Sequence, residues 1–213
     1  MTPGKISFVW GLFLLTWPSG IDAENIDPYD EGAQFAYGEN TGWLNFEPLE
    51  GEGAQVSSQR ITGFIWAENL GWINLSCETT HSCGTVDFGV VNDGQGNLSG
   101  YGWGENIGWV NFSPRVPDDL TSYGTTLDIE GRFSGWAWGE NVGWIQFDST
   151  QAYDVLACKV TLDDLVRIAQ FWLQTEVVPA DLDQSGQVEY GDFARLAALW
   201  LDFCPDGWQL KWQ

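Results

Sequence analysis

The feature that most constrains the fold is a short aromatic motif that recurs across the first two thirds of the chain. Its four copies are AYGENTGWLNF (36–46), FIWAENLGWINL (64–75), YGWGENIGWVNF (101–112) and WAWGENVGWIQF (136–147). Copies of one local structure, each too small to bury its own apolar face, indicate a repeat domain. We therefore predict a mainly β domain over residues 24–148 that contains four similar units.

The third copy shows how a unit is built. VDFGVV (86–91) alternates like a strand, NDGQGN (92–97) is dense in turn residues, and apolar strands flank GENI. This order predicts a meander of three strands joined by two hairpins. The first copy lacks a clear first strand. The pattern leaves open whether the units form a propeller-like ring, a sandwich or an open array.

The strands around each turn separate two kinds of side chain, because neighbours along a strand face opposite sides. One side is apolar and suits a core, and the other carries aromatic rings and amides. The candidate ligand surface on this second side consists of Trp43, Trp72, Trp103, Trp109, Trp136, Trp138 and Trp144. One interpretation is that the units stack and bury these rings. The other is that some rings stay exposed beside Asn and Glu, as a sugar-binding surface requires.

A glutamate stands at the same place in each turn, and glycoside hydrolysis requires a pair of carboxylates. These residues are Glu39, Glu68, Glu105 and Glu140. Catalysis needs two carboxylates in different environments, whereas the repeats place these residues in equivalent ones. His81 is the only histidine, so no Ser-His-Asp or Cys-His arrangement is indicated. We predict no catalytic residue, and the sequence leaves enzymatic activity open while favouring a non-catalytic protein.

The N-terminus indicates an exported protein. Lys5, an apolar run from Ile6 to Trp17 and a small residue at Ala23 predict a secretory signal peptide over residues 1–23. No later stretch is long and apolar enough for a transmembrane helix, so we expect the protein outside the cell or at the cell surface. With 8 basic against 30 acidic residues, the chain lacks the footprint of a nucleic-acid-binding protein.

Four cysteines in an exported chain indicate two disulfides, for which the sequence allows three connectivities. Cys77 and Cys83 enclose only ETTHS, and Cys158 and Cys204 flank the last helical region. We therefore predict that these neighbours pair. A zinc site is disfavoured because the spacings fit no zinc pattern.

After Phe147 the glycine-turn pattern ends and an apolar period of three to four residues begins. VTLDDLVRIAQFWL (160–173) and VEYGDFARLAALWL (188–201) align without a gap, which predicts two helices. One helical face carries the apolar side chains Leu165, Ile168 and Trp172 in the first and Phe193, Leu196 and Trp200 in the second, so these faces should pack together. We place a linker at residues 149–159, a small all-α module at 160–205 and a tail at 206–213.

The stretch DLDQSGQVEYGD (181–192) has the spacing of a calcium loop. Oxygen ligands are expected at positions one, three, five, seven, nine and twelve, with a glycine for the sharp turn at six. The predicted ligands are Asp181, Asp183, Ser185, the carbonyl of Gln187, Glu189 and Asp192. We therefore predict one Ca²⁺ ion.

This loop and the two helices resemble a dockerin module, the duplicated calcium module of secreted polysaccharide-degrading systems. The resemblance covers residues 153–204, and DLDQSGQVEYGDFARLAALWL matches the second half. The first half is degenerate, because Tyr153, Val155 and Ala157 stand at ligand positions and Cys158 stands where the glycine belongs. The resemblance thus implies one Ca²⁺ rather than two.

Dockerins bind cohesin modules through residues at the start of each helix, which here are Tyr190 and Gly191 with Leu162 and Asp163. The Trp-rich GWAWGENVGWI-type repeats are similar to those of secreted proteins of planctomycete-like bacteria. Together the resemblances imply a secreted, non-catalytic binding or assembly protein. Its partners would be a cohesin-like or surface scaffold protein and a polysaccharide. The alternatives are a dockerin-tethered glycoside hydrolase and a purely structural surface protein.

Overall fold

The structure, a computed structural model, describes residues 25–115, 123–149, 152–175, 178–205, 208 and 210. The predicted signal peptide, residues 1–23, lies outside this part of the chain, as does most of the predicted tail. The strands are β1 (Phe35–Gly38), β2 (Gly42–Asn45), β3 (Ala54–Val56), β4 (Arg60–Ala67), β5 (Gly71–Asn74), β6 (Val90–Asn92), β7 (Leu98–Gly104), β8 (Gly108–Asn111), β9 (Thr126–Leu127), β10 (Phe133–Ser134), β11 (Trp136–Gly139) and β12 (Gly143–Gln146). The helices are α1 (Leu162–Gln170) and α2 (Tyr190–Ala198).

The four repeats form the hairpins β1–β2, β4–β5, β7–β8 and β11–β12, which stand side by side in one closed antiparallel barrel. Each hairpin pairs with the next, since β2 pairs with β4, β5 with β7, β8 with β11, and β12 with β1. The prediction of a mainly β repeat domain is confirmed. The propeller-like ring, the sandwich and the open array are all wrong, because the hairpins join edge to edge around a closed ring.

The first repeat takes its first strand from the far end of the β domain. Residues 153–157 run beside the start of this repeat, where Val155 lies opposite Gln34. The N–H of Phe35 donates to the carbonyl of Asp154 at 3.0 Å. Residues 153–157, here named the ring-closing strand, lie beside the closure of the barrel by β12 and β1. They complete the repeat for which the sequence showed no first strand. Most of the predicted linker at 149–159 is therefore part of the β domain.

A continuous apolar core fills the barrel. The residues that follow the second strand of each hairpin are large and at most 1 % exposed; they are Phe46, Leu75, Phe112 and Phe147. Phe133 stacks on Phe147 with ring centroids 5.8 Å apart. Each such buried side chain contributes about 1.5–3 kcal/mol of transfer free energy, so these residues stabilise the barrel substantially.

The asparagines of the repeated turns join one hairpin to the next. Each Nδ2 donates to a backbone carbonyl in the neighbouring turn; the bonds are Asn40 to Val142 (2.9 Å), Asn69 to Asn40 (3.3 Å), Asn106 to Leu70 (3.0 Å) and Asn141 to Ile107 (3.1 Å). They form an asparagine ring around one end of the barrel. The glycine two residues later takes φ between 70 and 89° in all four turns, a conformation that a Cβ disfavours.

The helices pack over a second apolar cluster, in which Ile168 of α1 and Leu196 of α2 are buried. The two predicted helices are present and are short. Phe193 and Trp200, which the sequence placed on the packed face, are exposed. Because α2 ends at Ala198, Trp200 lies outside the helical period. Among the described residues, neither helix has the length and apolar character of a membrane span.

Both predicted disulfides are present, Cys77–Cys83 and Cys158–Cys204. The second disulfide joins the end of the ring-closing strand to the segment after α2, and the N–H of Cys204 also donates to the carbonyl of Cys158 at 2.9 Å. Phe203 is buried in the barrel core. Covalent, backbone and apolar contacts thus fix the helical segment to the barrel.

Candidate functional site

The outer face of the barrel carries a ring of aromatic side chains, here named the aromatic belt. Its members are between 36 and 42 % exposed; they are Tyr37, Trp43, Trp66, Trp72, Trp103, Trp109, Trp138 and Trp144. Trp136, the seventh tryptophan of the predicted surface, is half-buried. In three of the hairpins the two belt rings pack edge to face, as Trp138 does on Trp144 with centroids 5.0 Å apart. These rings therefore stabilise the barrel and still present part of their surface to solvent.

A seam lies between each pair of neighbouring hairpins, and in every seam an amide faces an aromatic residue across the strands. The pairs are Asn45 with Trp66, Asn74 with Trp103, Asn111 with Trp138, and Gln146 with Tyr37. The glutamate of the following turn stands two residues beyond the aromatic residue. The barrel therefore repeats one combination of ring, amide and carboxylate at each seam.

The seam between β5 and β7 opens into a cavity of about 570 Å³, here named the aromatic groove. Its lining residues are Phe64, Trp72, Asn74, Thr80, Ser82, Thr85, Val86, Phe88, Trp103, Glu105 and Trp109. One wall comes from the barrel, and the other comes from residues 76–88, which the Cys77–Cys83 disulfide constrains. The groove contains three of the predicted surface tryptophans, Trp72, Trp103 and Trp109.

Three connected polar side chains, here named the polar row, line the groove. Asn74 Nδ2 donates to Thr80 Oγ1 at 3.2 Å, and the hydroxyls of Thr80 and Ser82 bond to each other at 2.9 Å. Asn74 Oδ1 accepts the N–H of Ser76 at 3.0 Å, which fixes the orientation of the amide. Hydroxyl groups both donate and accept, so the row can bind ligand hydroxyls in either sense.

The turn glutamates do not converge in this groove. Among the described residues that line it, Glu105 is the only carboxylate. Glu39, Glu68 and Glu140 are exposed in the turns of the other hairpins, where Glu68 Oε2 accepts the N–H of Trp43 at 3.3 Å. The groove thus offers one of the two carboxylates that glycoside hydrolysis uses.

The predicted calcium loop brings three carboxylates together. Asp181, Asp183 and Asp192 each place one oxygen within 4.8 Å of the other two. Oxygens bound to one Ca²⁺ at 2.3–2.6 Å lie no farther apart than about 5 Å, so this spacing fits a single ion. Hydrogen bonding, chiefly from the side chain of Ser185, holds the pKa of Asp183 below its ordinary value. This carboxylate is therefore ionised at neutral pH.

The remaining predicted ligands lie beside this acidic cluster. The N–H of Ser185 donates to Asp181 Oδ1 and to Asp183 Oδ1, both at 3.0 Å. Its hydroxyl donates to the carbonyl of Gln187 at 3.0 Å. Glu189 is exposed and precedes α2, and its N–H donates to Asp192 Oδ2 at 2.8 Å. Of the six predicted ligands, the three aspartates are thus the convergent set.

The predicted partner-binding positions occupy the starts of the helices. Tyr190 and Leu162 are among the most exposed apolar side chains, at 79 and 62 %. A Cβ on Gly191 would lie 2.1 Å from Asp183 Oδ2, so this position accepts no larger side chain without moving the acidic cluster. Asp163 lines a cleft between α1 and the barrel. The two predicted pairs therefore differ in their surroundings.

Searches against protein-family models, curated proteins and solved structures found no match. The dockerin-like character of the C-terminal segment thus stays a prediction.

The second wall of the groove was not predicted from the sequence. Thr80 and Ser82 lie between two repeats, and no repeat pattern marks them. The available signal was the pair Cys77 and Cys83, because a short disulfide loop inserted at one seam distinguishes that seam from the others.

Proposed function

We propose that this protein is a secreted, non-catalytic carbohydrate-binding protein that a dockerin-like calcium module attaches to a scaffold. The observation that supports it most is the aromatic belt, in which partly exposed rings lie beside amides at every seam. Flat ring faces suit the C–H faces of pyranoses, and amide and hydroxyl groups suit their hydroxyls.

Two alternatives receive less support. A glycoside hydrolase would use two carboxylates across a cleft, whereas Glu105 stands alone among the described residues of the aromatic groove. A purely structural surface protein would account for the packed part of each ring but not for the nearly two fifths of its surface that stays in water.

The proposed calcium module rests on the convergence of Asp181, Asp183 and Asp192. Ca²⁺ held by these oxygens would offset the mutual repulsion of three carboxylates and fix the start of α2. Tyr190 and Leu162, exposed near the helix starts, are the side chains proposed to contact a cohesin-like scaffold partner.

Binding of the full chain to an array of neutral and charged glycans tests the carbohydrate proposal. The double variant Trp72→Ala/Trp144→Ala removes one belt ring from each of two seams and should weaken binding by at least roughly two- to tenfold in total, since a stacked ring contributes about 0.5–1.5 kcal/mol. The matched control is Phe193→Ala, which removes an exposed ring from α2 and should bind like the native chain. Silence of the folded native chain across the array would exclude carbohydrate binding and favour the structural alternative.

A further inference from the structure

We infer that the aromatic groove, rather than the belt as a whole, is the principal ligand site, and that it binds a segment of an uncharged oligosaccharide. This inference rests on the proposed carbohydrate binding and assigns it to one of four similar seams. The seams share their ring and amide, so the features that distinguish the β5–β7 seam carry the inference.

The first such feature is a second, largely apolar wall. Residues 76–88 form this wall, so a ligand at this seam can contact apolar side chains on two sides. The β12–β1 seam has the equivalent residues Trp144, Gln146 and Tyr37, but barrel residues alone line its cavity of about 430 Å³. Cavities that bind small ligands measure about 300–1,000 Å³, and the gain on binding grows with the apolar area that becomes buried.

The second feature is pre-organisation of the wall. The Cys77–Cys83 disulfide closes a short loop, the hydroxyl of Thr79 accepts the N–H of Gly63 at 2.8 Å, and Arg60 forms an ion pair with Glu78. These contacts hold the wall against β4. A ligand therefore meets groups that are already ordered, and binding costs less conformational entropy.

The third feature is the polar row. Asn74, Thr80 and Ser82 form a connected series of polar groups opposite apolar rings. A pyranose has the same division, because its C–H faces are apolar and its hydroxyls project from the rim. A purely apolar ligand would leave the row without partners and would lose the hydrogen bonds that the row makes with water.

Charge selects among sugars. The described residues that line the groove include Glu105 and no Lys or Arg, and the whole chain carries a formal charge of -22. An anionic polysaccharide would be repelled over the whole approach, whereas a neutral one is unaffected. Glu105 accepts hydrogen bonds from sugar hydroxyls without requiring a cation.

Calorimetric titration of the full chain with neutral hexasaccharides tests the inference; the probes are β-1,4-linked glucose, β-1,4-linked xylose and α-1,4-linked glucose. A polygalacturonate hexamer serves as the anionic probe and tetramethylammonium as the cationic probe. We expect one site for at least one neutral hexamer and none for the charged probes. Trp103→Ala should weaken binding about tenfold, and Thr80→Val about three- to tenfold.

The discriminating variant is Trp138→Ala, which removes the ring equivalent to Trp103 at the β8–β11 seam. Binding in the groove predicts a change of less than about twofold, whereas binding spread over the belt predicts a loss like that of Trp103→Ala. The control outside the belt is Phe193→Ala, which should bind like the native chain. If Trp103→Ala unfolds, Thr80→Val and the double variant Cys77→Ser/Cys83→Ser, which should also weaken binding, still test the groove. Equal losses from Trp103→Ala and Trp138→Ala would overturn the inference but leave the proposed function standing. Absence of binding to any glycan would remove both, and preference for a charged probe would overturn the ligand class.

Discussion

Asp164 and Asp192 hold equivalent positions at the starts of α1 and α2, and both are buried. In each helix the carboxylate accepts the N–H of the residue three positions earlier, Thr161 or Glu189, at 2.8 Å. The donor that bonds to the second carboxylate oxygen differs between Asp164 and Asp192. That of Asp164 accepts the indole N–H of Trp208 at 3.0 Å, whereas that of Asp192 accepts the N–H of Asp183 at 3.1 Å and adjoins the acidic cluster.

These two aspartates show which contacts of single residues can be predicted from the sequence and which cannot. The positions of the oxygen donors from Asp181 to Asp192 could be predicted, because the ligands of a calcium loop follow a fixed spacing along the chain. The use of Trp208 was not, since its 44-residue separation from Asp164 carries no local pattern. The convergence of Asp181, Asp183 and Asp192 could be predicted from their spacing, whereas the contact of Asp164 with Trp208 could not.

At the scale of single residues, we expect Asp181→Ala to abolish calcium binding. Both carboxylate oxygens of Asp181 accept loop N–H groups, from Ser185 and Gly186, so its removal deletes a ligand and loosens the loop. Calorimetric titration of the full chain should give a stoichiometry near one ion, lost in Asp181→Ala. Binding should also be lost in acid, because protonated carboxylates do not coordinate the ion.

Asp163→Ala is the control, since it removes one charge from the same segment outside the acidic cluster. It should leave the stoichiometry unchanged. Undetectable binding by the native chain would remove the calcium site from the proposed function.

Among the elements, the ring-closing strand determines where the β domain ends. Val155 and Ala157 are fully buried, and residues 153–157 pair with the start of the first repeat. The sequence predicted the hairpins, because alternation and turn residues are local signals. It did not predict this strand, which belongs to repeat one and lies beyond repeat four. The asparagine ring was not predicted for the same reason, since each of its hydrogen bonds joins two different repeats.

Truncation tests this boundary. A chain that ends at residue 160 and carries Cys158→Ser should keep the barrel, whereas a chain that ends at residue 149 should lose it, because the apolar edge of the first repeat is then uncovered. Near-ultraviolet circular dichroism of the belt tryptophans and thermal unfolding separate these outcomes. Both chains lack Phe203 and the helices, so they differ only in the ring-closing strand and its flanks. Identical spectra and unfolding temperatures would show that the barrel closes without residues 153–157.

At the scale of the whole molecule, the described residues form two apolar clusters, one inside the barrel and one beneath the helices. The Cys158–Cys204 disulfide and the pairing of Lys159 with Phe203 connect them. Burial lowers the pKa of Lys159, with partial compensation by Asp128 and Asp202, and its ammonium lies 4.8 Å from the Phe203 ring centroid. The junction is therefore close-packed, although each cluster has its own set of side chains.

We expect two unfolding transitions by scanning calorimetry, with the helical segment unfolding first. Calcium at a hundredfold excess over its dissociation constant should stabilise that segment by about 2.7 kcal/mol and raise only the lower transition. A chelator should reverse the shift, and Asp181→Ala should abolish it. A single transition that moves as a whole with calcium would show that barrel and helices unfold together.

The place of the ring-closing strand also bears on how the chain is made. Residues 153–157 are translated after every hairpin of the barrel, yet the first hairpin depends on them and on β12. While the nascent chain grows, β1 has no neighbour on its outer side. Closure of the barrel must then wait until the entire β region has emerged from the ribosome. A chain released earlier, from a stalled ribosome, exposes the unpaired edge of β1, which can pair with another polypeptide.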